Sequence, residues 1–148
     1  MEPHIYPVDL NWIADRKGEV FSPGLEEKIS VATPPEFPKG MPGIWSPEHL
    51  FTAAVSSCFM TTFLAIAENS KLEFKDLNCP AKGKLEKVEG RFVMSEIALE
   101  PHLSILNEED REKAERILQK AEKACLISNS ITSKVTLDTK IEVLSEAV

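Results

Sequence analysis

The sequence has few cysteines and histidines and no excess of positive charge. Among its 148 residues there are three cysteines and three histidines, and the formal net charge is -7. With no surplus of Lys and Arg to displace the counterions of phosphates, the composition argues against a nucleic-acid partner. His4, His49 and His102 fall at no ligand spacing with a pair of cysteines, so a zinc site is not expected.

Targeting and repeat signals are also missing. The first residues, MEPHIYPV, lack a basic segment followed by an apolar one, so we expect no signal peptide and a cytoplasmic location. In that compartment three cysteines are more often reactive, metal-binding or core residues than a disulfide framework. The sequence contains no internal repeat, and its 43% hydrophobic residues are enough for a core, so a single domain over residues 1–148 is predicted.

One long apolar stretch, from Ser46 to Lys71, dominates what is present. Ser46 can cap a helix, Pro47 suits its first position, and Glu48 lies at the positive end of its dipole. Apolar side chains then follow around the whole cylinder, which predicts burial on every side. Because the stretch is short and rich in Ser and Thr, it predicts the central helix of a soluble domain rather than a membrane span, with Cys58 near its middle.

Alternation and turn signals predict the remaining elements. The predicted order is three strands at 4–14, 19–22 and 28–32, a proline-rich loop at 33–45, the helix, strands at 74–88 and 91–99, an amphipathic helix at 106–123 with Asn107 as its cap, and a strand at 134–144. This order predicts an α+β fold with largely antiparallel sheets around the long buried helix. A domain of this size has little material to surround such a helix, so we expect an obligate homodimer.

The cysteines suggest thiol chemistry. Cys58 and Cys125 each lie in or beside a helix and each has a serine within three residues. Peroxide reduction needs two thiols, because one thiolate becomes a sulfenic acid and the second condenses with it to a disulfide. The attacking thiol needs a lowered pKa and hence a nearby cation. From the residues alone, a small core residue is the more common interpretation of Cys58, and Cys79 is expected in the core or at a sheet edge.

Three blocks of the sequence resemble the OsmC-like family, which contains the osmotically inducible proteins and the organic hydroperoxide resistance proteins. The block from Trp45 to Phe59 is similar to the family's Asn-Pro-Glu-x-Leu-Phe…Cys helix. The segment 125–130, CLISNS, is similar to its Cys-Pro-x-Ser-Asn segment, and Arg16-Lys17-Gly18 is similar to an Arg-x-Gly turn. Leu126 stands where the family usually has proline, which puts the backbone around the second thiol in question.

The resemblance implies an intertwined homodimer of OsmC-like fold and a thiol-dependent peroxidase for organic hydroperoxides, with no metal or bound cofactor. In this implied scheme Cys58 is the peroxidatic cysteine, Cys125 is the resolving cysteine, Arg16 stabilises the thiolate and orients the peroxide, and Glu48 holds Arg16. The implied reductant is a dithiol or a lipoylated protein. Glu48 and Cys58 are ten positions apart on one helix, or about 15 Å along its axis. Either Arg16 bridges much of that distance, or the Arg16–Glu48 pair serves the partner subunit's Cys58, which is the hypothesis we favour.

Two further questions stay open at this level. The apolar residues Phe51, Phe59 and Met60 suit a fatty or aromatic hydroperoxide, but they fit a hydrophobic core equally well. The alternative to an enzyme is a non-enzymatic thiol redox sensor, or a protein of the same fold that binds hydrophobic ligands.

Overall fold

A computed structural model describes residues 1–144 of the chain, which divides into two compact units, Met1–Leu50 and Phe51–Val148. Each unit has its own sheet structure, and the long helix begins at the end of the first unit and continues in the second. The expectation of one domain over residues 1–148 stays a prediction.

The first unit is built on an antiparallel meander of three strands. These are β1 (Asp9–Ala14), β2 (Lys17–Phe21) and β3 (Ile29–Ala32), paired in the order β1-β2-β3. The three N-terminal strands predicted from alternation are therefore confirmed, with Asp15 and Arg16 in the first turn. The proline-rich segment 33–45 contains no helix or strand, and a single bridge pairs Val31 with Trp45.

Helix α1 (Pro47–Asn69) begins with a reciprocal cap. The Ser46 hydroxyl lies 2.7 Å from Nδ1 of His49 and accepts the His49 backbone N–H at 3.2 Å. The Ser46 backbone N–H in turn donates to His49 Nδ1 at 3.2 Å. This arrangement is a capping box in which histidine takes the place that Glu or Gln usually has. The helix therefore begins where the Ser-Pro-Glu sequence predicts.

The core-facing side of α1 follows a four-residue spacing. Val55, Phe59, Phe63 and Ala67 are buried, whereas Met60 and Leu64 on other faces are 42% and 41% exposed. In the single chain α1 is thus buried on one face only, and the burial of its other faces that was expected from a second copy stays a prediction. By length and composition α1 could cross a membrane, a test that the core helices of soluble proteins also pass.

The second unit contains two three-stranded sheets and the second helix, α2 (Arg111–Ala124), which follows a short turn of 3-10 helix. The strands are β4 (Phe74–Asn78), β5 (Ala81–Val88), β6 (Arg91–Leu99), β7 (His102–Ile105), β8 (Lys134–Leu137) and β9 (Lys140–Val143). One sheet has the order β4-β7-β9 and the other the order β5-β6-β8. The pairs β4–β7 and β5–β6 are antiparallel, and the pairs β6–β8 and β7–β9 are parallel.

These six strands come from three longer chain segments that each change sheets at a break. The breaks fall at Cys79-Pro80, Glu100-Pro101 and Asp138-Thr139. They lie side by side, because Glu100 N–H donates to Pro80 O and Lys140 N–H donates to Pro101 O, both at 2.9 Å. The single strands predicted over 74–88 and 134–144 are therefore each two strands, and β7 was not predicted. The prediction of largely antiparallel pairing is confirmed for two of these four pairs, and the sheets are mixed.

The core of the second unit lies between α1, α2 and both sheets. Phe59 and Phe63 of α1 pack in one buried cluster with residues of β6, β7 and α2: Ile97, Leu99, Leu103, Ile105, Ala114, Ile117, Leu118 and Ala121. The four α2 residues of this cluster lie on one face, which confirms the predicted amphipathic helix. Asn107 precedes that helix as predicted, but its side chain makes no capping hydrogen bond.

Candidate functional site

Helix α1 fixes the position of Cys58. The thiol directly precedes the fully buried Phe59, which anchors this turn of the helix in the core, and is itself partly buried. Thr62 lies one helical turn later on the same face, with its hydroxyl oxygen 3.9 Å from the Cys58 sulfur. Packing of the neighbouring buried side chains therefore fixes the turn of α1 that carries Cys58, beside a hydroxyl group.

A hydrogen-bonded turn fixes Cys125 at the end of α2. The backbone of Cys125 leaves the helix in an extended conformation, and its carbonyl accepts the Asn129 N–H at 3.1 Å. The Asn129 side chain donates to Lys123 O at 3.1 Å, and the Ser130 hydroxyl donates to Leu126 O at 2.7 Å. The thiol has no solvent exposure. Asn129 and Ser130 thus hold the segment that follows the helix.

Cys58 and Cys125 influence each other's ionisation, and Cys58 is the more acidic thiol. Burial disfavours the Cys58 thiolate, but hydrogen bonds from the backbone of Ile127 and the side chain of Cys125 help to outweigh it. The Thr62 hydroxyl and the backbone of Leu126 act in the same direction, so the pKa of Cys58 is lowered below its ordinary 9.0. This environment favours Cys58 as the nucleophile of the pair.

The acidity of Cys125 changes in the opposite direction. Burial raises its pKa, and the nearby Cys58 adds to that increase. The nearby hydroxyl and backbone of Ser128 oppose the increase without cancelling it. As pH rises, Cys58 therefore ionises first while Cys125 keeps its proton. Such a pair suits a reaction in which one sulfur attacks and the other responds afterwards.

The third cysteine lies apart from this chemistry, at the break between β4 and β5. Burial, together with the charge of Glu100, raises the pKa of Cys79 to about 11. Cys79 is partly buried against the core, in agreement with its predicted position. Among residues 1–144, no group of three or more His, Cys, Asp and Glu side chains could hold a metal ion.

Arg16 and Glu48 both lie in the first unit. Arg16 is on the exposed turn after β1, and its carbonyl accepts the Thr33 N–H at 3.2 Å. Glu48 is in the first turn of α1, with its Oε2 atom shielded from solvent. The structure thus brings together the two predicted thiols. The pairing of Arg16 with Glu48, and their action on the partner subunit's Cys58, stay predictions.

Several contributors to the site were not predicted as such. Thr62 could have been found from its spacing of four residues after Cys58 on a helix. Nothing in the local pattern indicates that the backbone of Leu126 and Ile127 faces Cys58. Among the apolar residues considered for substrate contacts, Phe59 belongs to the core and Phe51 packs against it, so the core interpretation holds for both, whereas Met60 is exposed.

Comparisons with known proteins agree with this architecture. A family model described as OsmC-like protein matches residues 40–140. An uncharacterised protein of Bacillus subtilis, YmaD, is 28% identical over 151 residues, covering 97% of each chain. The peroxiredoxin OsmC of Escherichia coli is 26% identical over 97 residues, covering 66% of this chain and 67% of the relative.

A solved structure also shares the fold. The organic hydroperoxide resistance protein OsmC from Legionella pneumophila superposes with a TM-score of 0.76 at 25% sequence identity, covering 97% of this chain and all of the other. The α+β fold with mixed sheets and a long helix is therefore the one that OsmC-like structures have.

Proposed function

Because the chain belongs to the OsmC-like family, which includes peroxiredoxins, we propose that it is a thiol-dependent peroxidase that reduces organic hydroperoxides. One observation carries the proposal: Cys58 and Cys125 lie close enough to affect each other's ionisation, with the pKa of Cys58 lowered and that of Cys125 raised. The specific substrate class follows the Legionella relative, whose name is organic hydroperoxide resistance protein.

In the proposed first step the Cys58 thiolate attacks one oxygen of the peroxide. An S–O bond forms as the O–O bond breaks, and the leaving alkoxide takes up a proton and departs as the alcohol. The Cys125 sulfur then attacks the sulfenic sulfur of Cys58, an S–S bond forms, and the hydroxyl group leaves as water with the Cys125 proton. The two thiols thereby supply the two electrons that reduce the peroxide.

An external dithiol or a lipoylated protein completes the proposed cycle. Its thiols reduce the Cys58–Cys125 disulfide by exchange and are themselves oxidised to a disulfide. We assign this cycle to the cytoplasm, where such dithiols keep cysteines reduced.

We also assign supporting roles to Arg16 and Glu48. The guanidinium of Arg16 would stabilise the thiolate and orient the peroxide, with Glu48 holding the guanidinium through an ion pair. Glu48 lies ten positions before Cys58 on α1, so the proposed pair serves the site of the partner subunit.

The proposed assembly is a homodimer, and exposed apolar surface in each unit supports it. Every residue of β1 is exposed, with Leu10 at 65% and Trp12 at 75%. In the second unit Met60 and Leu64 of α1 are exposed as well. Large apolar groups left in water on both a strand and a helix are typical of a surface that another chain covers.

Peroxide consumption by the purified protein tests the proposed activity. Cumene or tert-butyl hydroperoxide would be compared with hydrogen peroxide, using a dithiol as reductant. Wild type would be measured beside Cys58→Ser and, as a matched thiol control, Cys79→Ser. We expect turnover that prefers the organic peroxide, disappears in Cys58→Ser and persists in Cys79→Ser. Absence of turnover with an unoxidised Cys58 would instead favour a thiol sensor or a binder of hydrophobic ligands.

A further inference from the structure

A groove lined by positive charge lies between the end of α1 and one side of α2. Its volume of about 570 Å³ falls within the range of small-molecule sites, roughly 300–1,000 Å³. Four cations from successive turns of α2 line it: Lys113, Arg116, Lys120 and Lys123. Because they are spaced three and four positions apart, they form one row about 15 Å long. The whole chain has a net charge of -7, so this row is a local reversal of charge.

No acidic side chain neutralises the row. Within residues 1–144, none of the four cations takes part in an ion pair. Glu115 also lines the groove, but neutral donors hold its carboxylate. The two carboxylate oxygens lie 2.7 and 2.9 Å from the Thr139 hydroxyl, and one of them accepts the Gln119 side-chain amide at 3.0 Å. Four cations and one acid leave the lining with a surplus of three positive charges.

The row is not needed to complete the end of α1. Basic side chains often satisfy the free carbonyl groups at a helix C-terminus. In α1 the backbone satisfies them, because the Lys71 N–H donates to Glu68 O at 3.1 Å and Lys71 has a φ of +56°. The Leu72 N–H then donates to Ala67 O at 2.9 Å. The cations of α2 are therefore available to a ligand.

The groove also has apolar walls. Ile66 of α1 and Ile117 of α2 line it beside the cations. Ile117 belongs to the buried core, and Ile66 packs against that core while remaining partly accessible. A ligand that fills the groove would therefore meet positive charge along α2 and an apolar surface next to it. Such a lining suits a molecule with both anionic and apolar parts.

We propose that this groove binds a small organic polyphosphate, with its phosphates along the row of cations and its apolar or aromatic part against Ile66 and Ile117. Arg116 suits a bidentate contact with a phosphate, whereas the lysines act as point charges. A ligand with one anionic group would leave most of the row unused, so several linked phosphates fit its length better. The concave shape and the volume favour a small molecule over an acidic segment of another protein, which would need a larger contact area.

Isothermal titration calorimetry with ATP, in the absence of divalent metal ions, tests the site without any peroxide. The groove variant is Arg116→Gln with Lys120→Gln. The matched control is Lys134→Gln with Lys140→Gln, which makes the same change in net charge at exposed lysines outside the groove. We expect the groove variant to bind ATP at least about tenfold more weakly than wild type, and the control to bind like wild type. No binding of ATP by wild type, or equal weakening in both variants, would overturn the proposal.

Two other probes distinguish the kinds of anion. Tripolyphosphate carries more charge than ATP but lacks an apolar part, so we expect it to bind more weakly. Equal or tighter binding of tripolyphosphate would overturn the role given to Ile66 and Ile117. A deca-glutamate peptide that binds the groove more tightly than ATP would overturn the proposal in favour of an acidic protein partner.

A measurement on wild type alone covers the case in which the groove variant fails to fold. In nitrogen-15-labelled protein, ATP should shift the amide resonances of residues 113–123 more than those of the two sheets. Raising the salt concentration should reverse these shifts, because added ions compete for the cations. Shifts that lie mainly outside residues 113–123 would contradict the assigned site.

Discussion

Replacing Gly83 by alanine tests how closely the helix that carries Cys58 approaches the sheet beneath it. Gly83 lies on β5, and a Cβ atom added there would overlap the hydroxyl of Thr52 on α1. The same Cβ would lie 2.7 Å from Met94 Cε and 3.3 Å from Thr52 Cβ. The end of Met94 can rotate away, but Thr52 is attached to the helix backbone. The side chain of residue 83 therefore has no room unless α1 or Thr52 moves.

The direction of the stability change distinguishes a tight contact between α1 and β5 from an open strand at Gly83. In an open strand, exchanging glycine for alanine would stabilise the fold by roughly 0.5–1 kcal/mol through lower backbone entropy in the unfolded chain. Overpacking a tight contact instead costs about 1–3 kcal/mol. We therefore expect Gly83→Ala to unfold at lower urea concentration than wild type, measured by circular dichroism at fixed protein concentration.

A double-mutant cycle identifies the clash. If Thr52 is the obstacle, the destabilisation by Gly83→Ala should be smaller in a Thr52→Ala background than in wild type, with a coupling free energy of about 0.5 kcal/mol or more. A Gly83→Ala variant as stable as wild type, or more stable, would refute the close approach of α1 to β5.

Three further predictions concern the core, the thiols and the assembly. Phe59→Ala should lower the free energy of unfolding by about 3–5 kcal/mol through cavity formation, as measured by urea denaturation. A loss of stability no larger than that of the exposed control Glu109→Ala would contradict the assigned core. Because the pKa of Cys58 is lowered and that of Cys79 is raised to about 11, iodoacetamide should label Cys58 before Cys79 at neutral pH. The difference in labelling rate should shrink as pH approaches 11 and Cys79 ionises. Peptide mass spectrometry measures both rates, and faster labelling of Cys79 at neutral pH would contradict the assignment. Trp12→Lys places a charge on apolar surface that is 75% exposed in one chain. In light scattering we expect the mass of a dimer for wild type and of a monomer for the variant, and equal masses for the two proteins would argue against an interface at β1.

Local signals in the sequence predicted most elements, and long-range pairing explains the ones they missed. The Ser46 cap and the apolar periodicity of residues 114–121 predict both helices correctly, since these signals act within one or two turns. The four-residue β7 follows directly after Pro101, and its pattern is too short to recognise alone. The parallel pairing of β6 with β8 joins segments that α2 separates, so no local pattern encodes it.

The candidate site was predictable in its side chains and not in its backbone. Cys58 and Cys125 were identified from thiol chemistry and from a family resemblance, and the fold places them where each affects the ionisation of the other. Where the backbone of Leu126 and Ile127 lies depends on how the chain turns after α2, which the side-chain identities at those positions do not specify. Burial on every side of α1 stays a prediction that depends on a second copy, because composition does not say which chain covers an apolar face.

Trapping the oxidised thiols tests the central claim most directly. Reduced protein would be treated with one equivalent of cumene hydroperoxide and digested without reduction, beside Cys125→Ser treated with dimedone. The account predicts a disulfide between the Cys58 and Cys125 peptides in wild type, and a dimedone-labelled sulfenic acid on Cys58 in the variant. Recovery of Cys58 as a free thiol in both proteins, with the peroxide unconsumed, would contradict it.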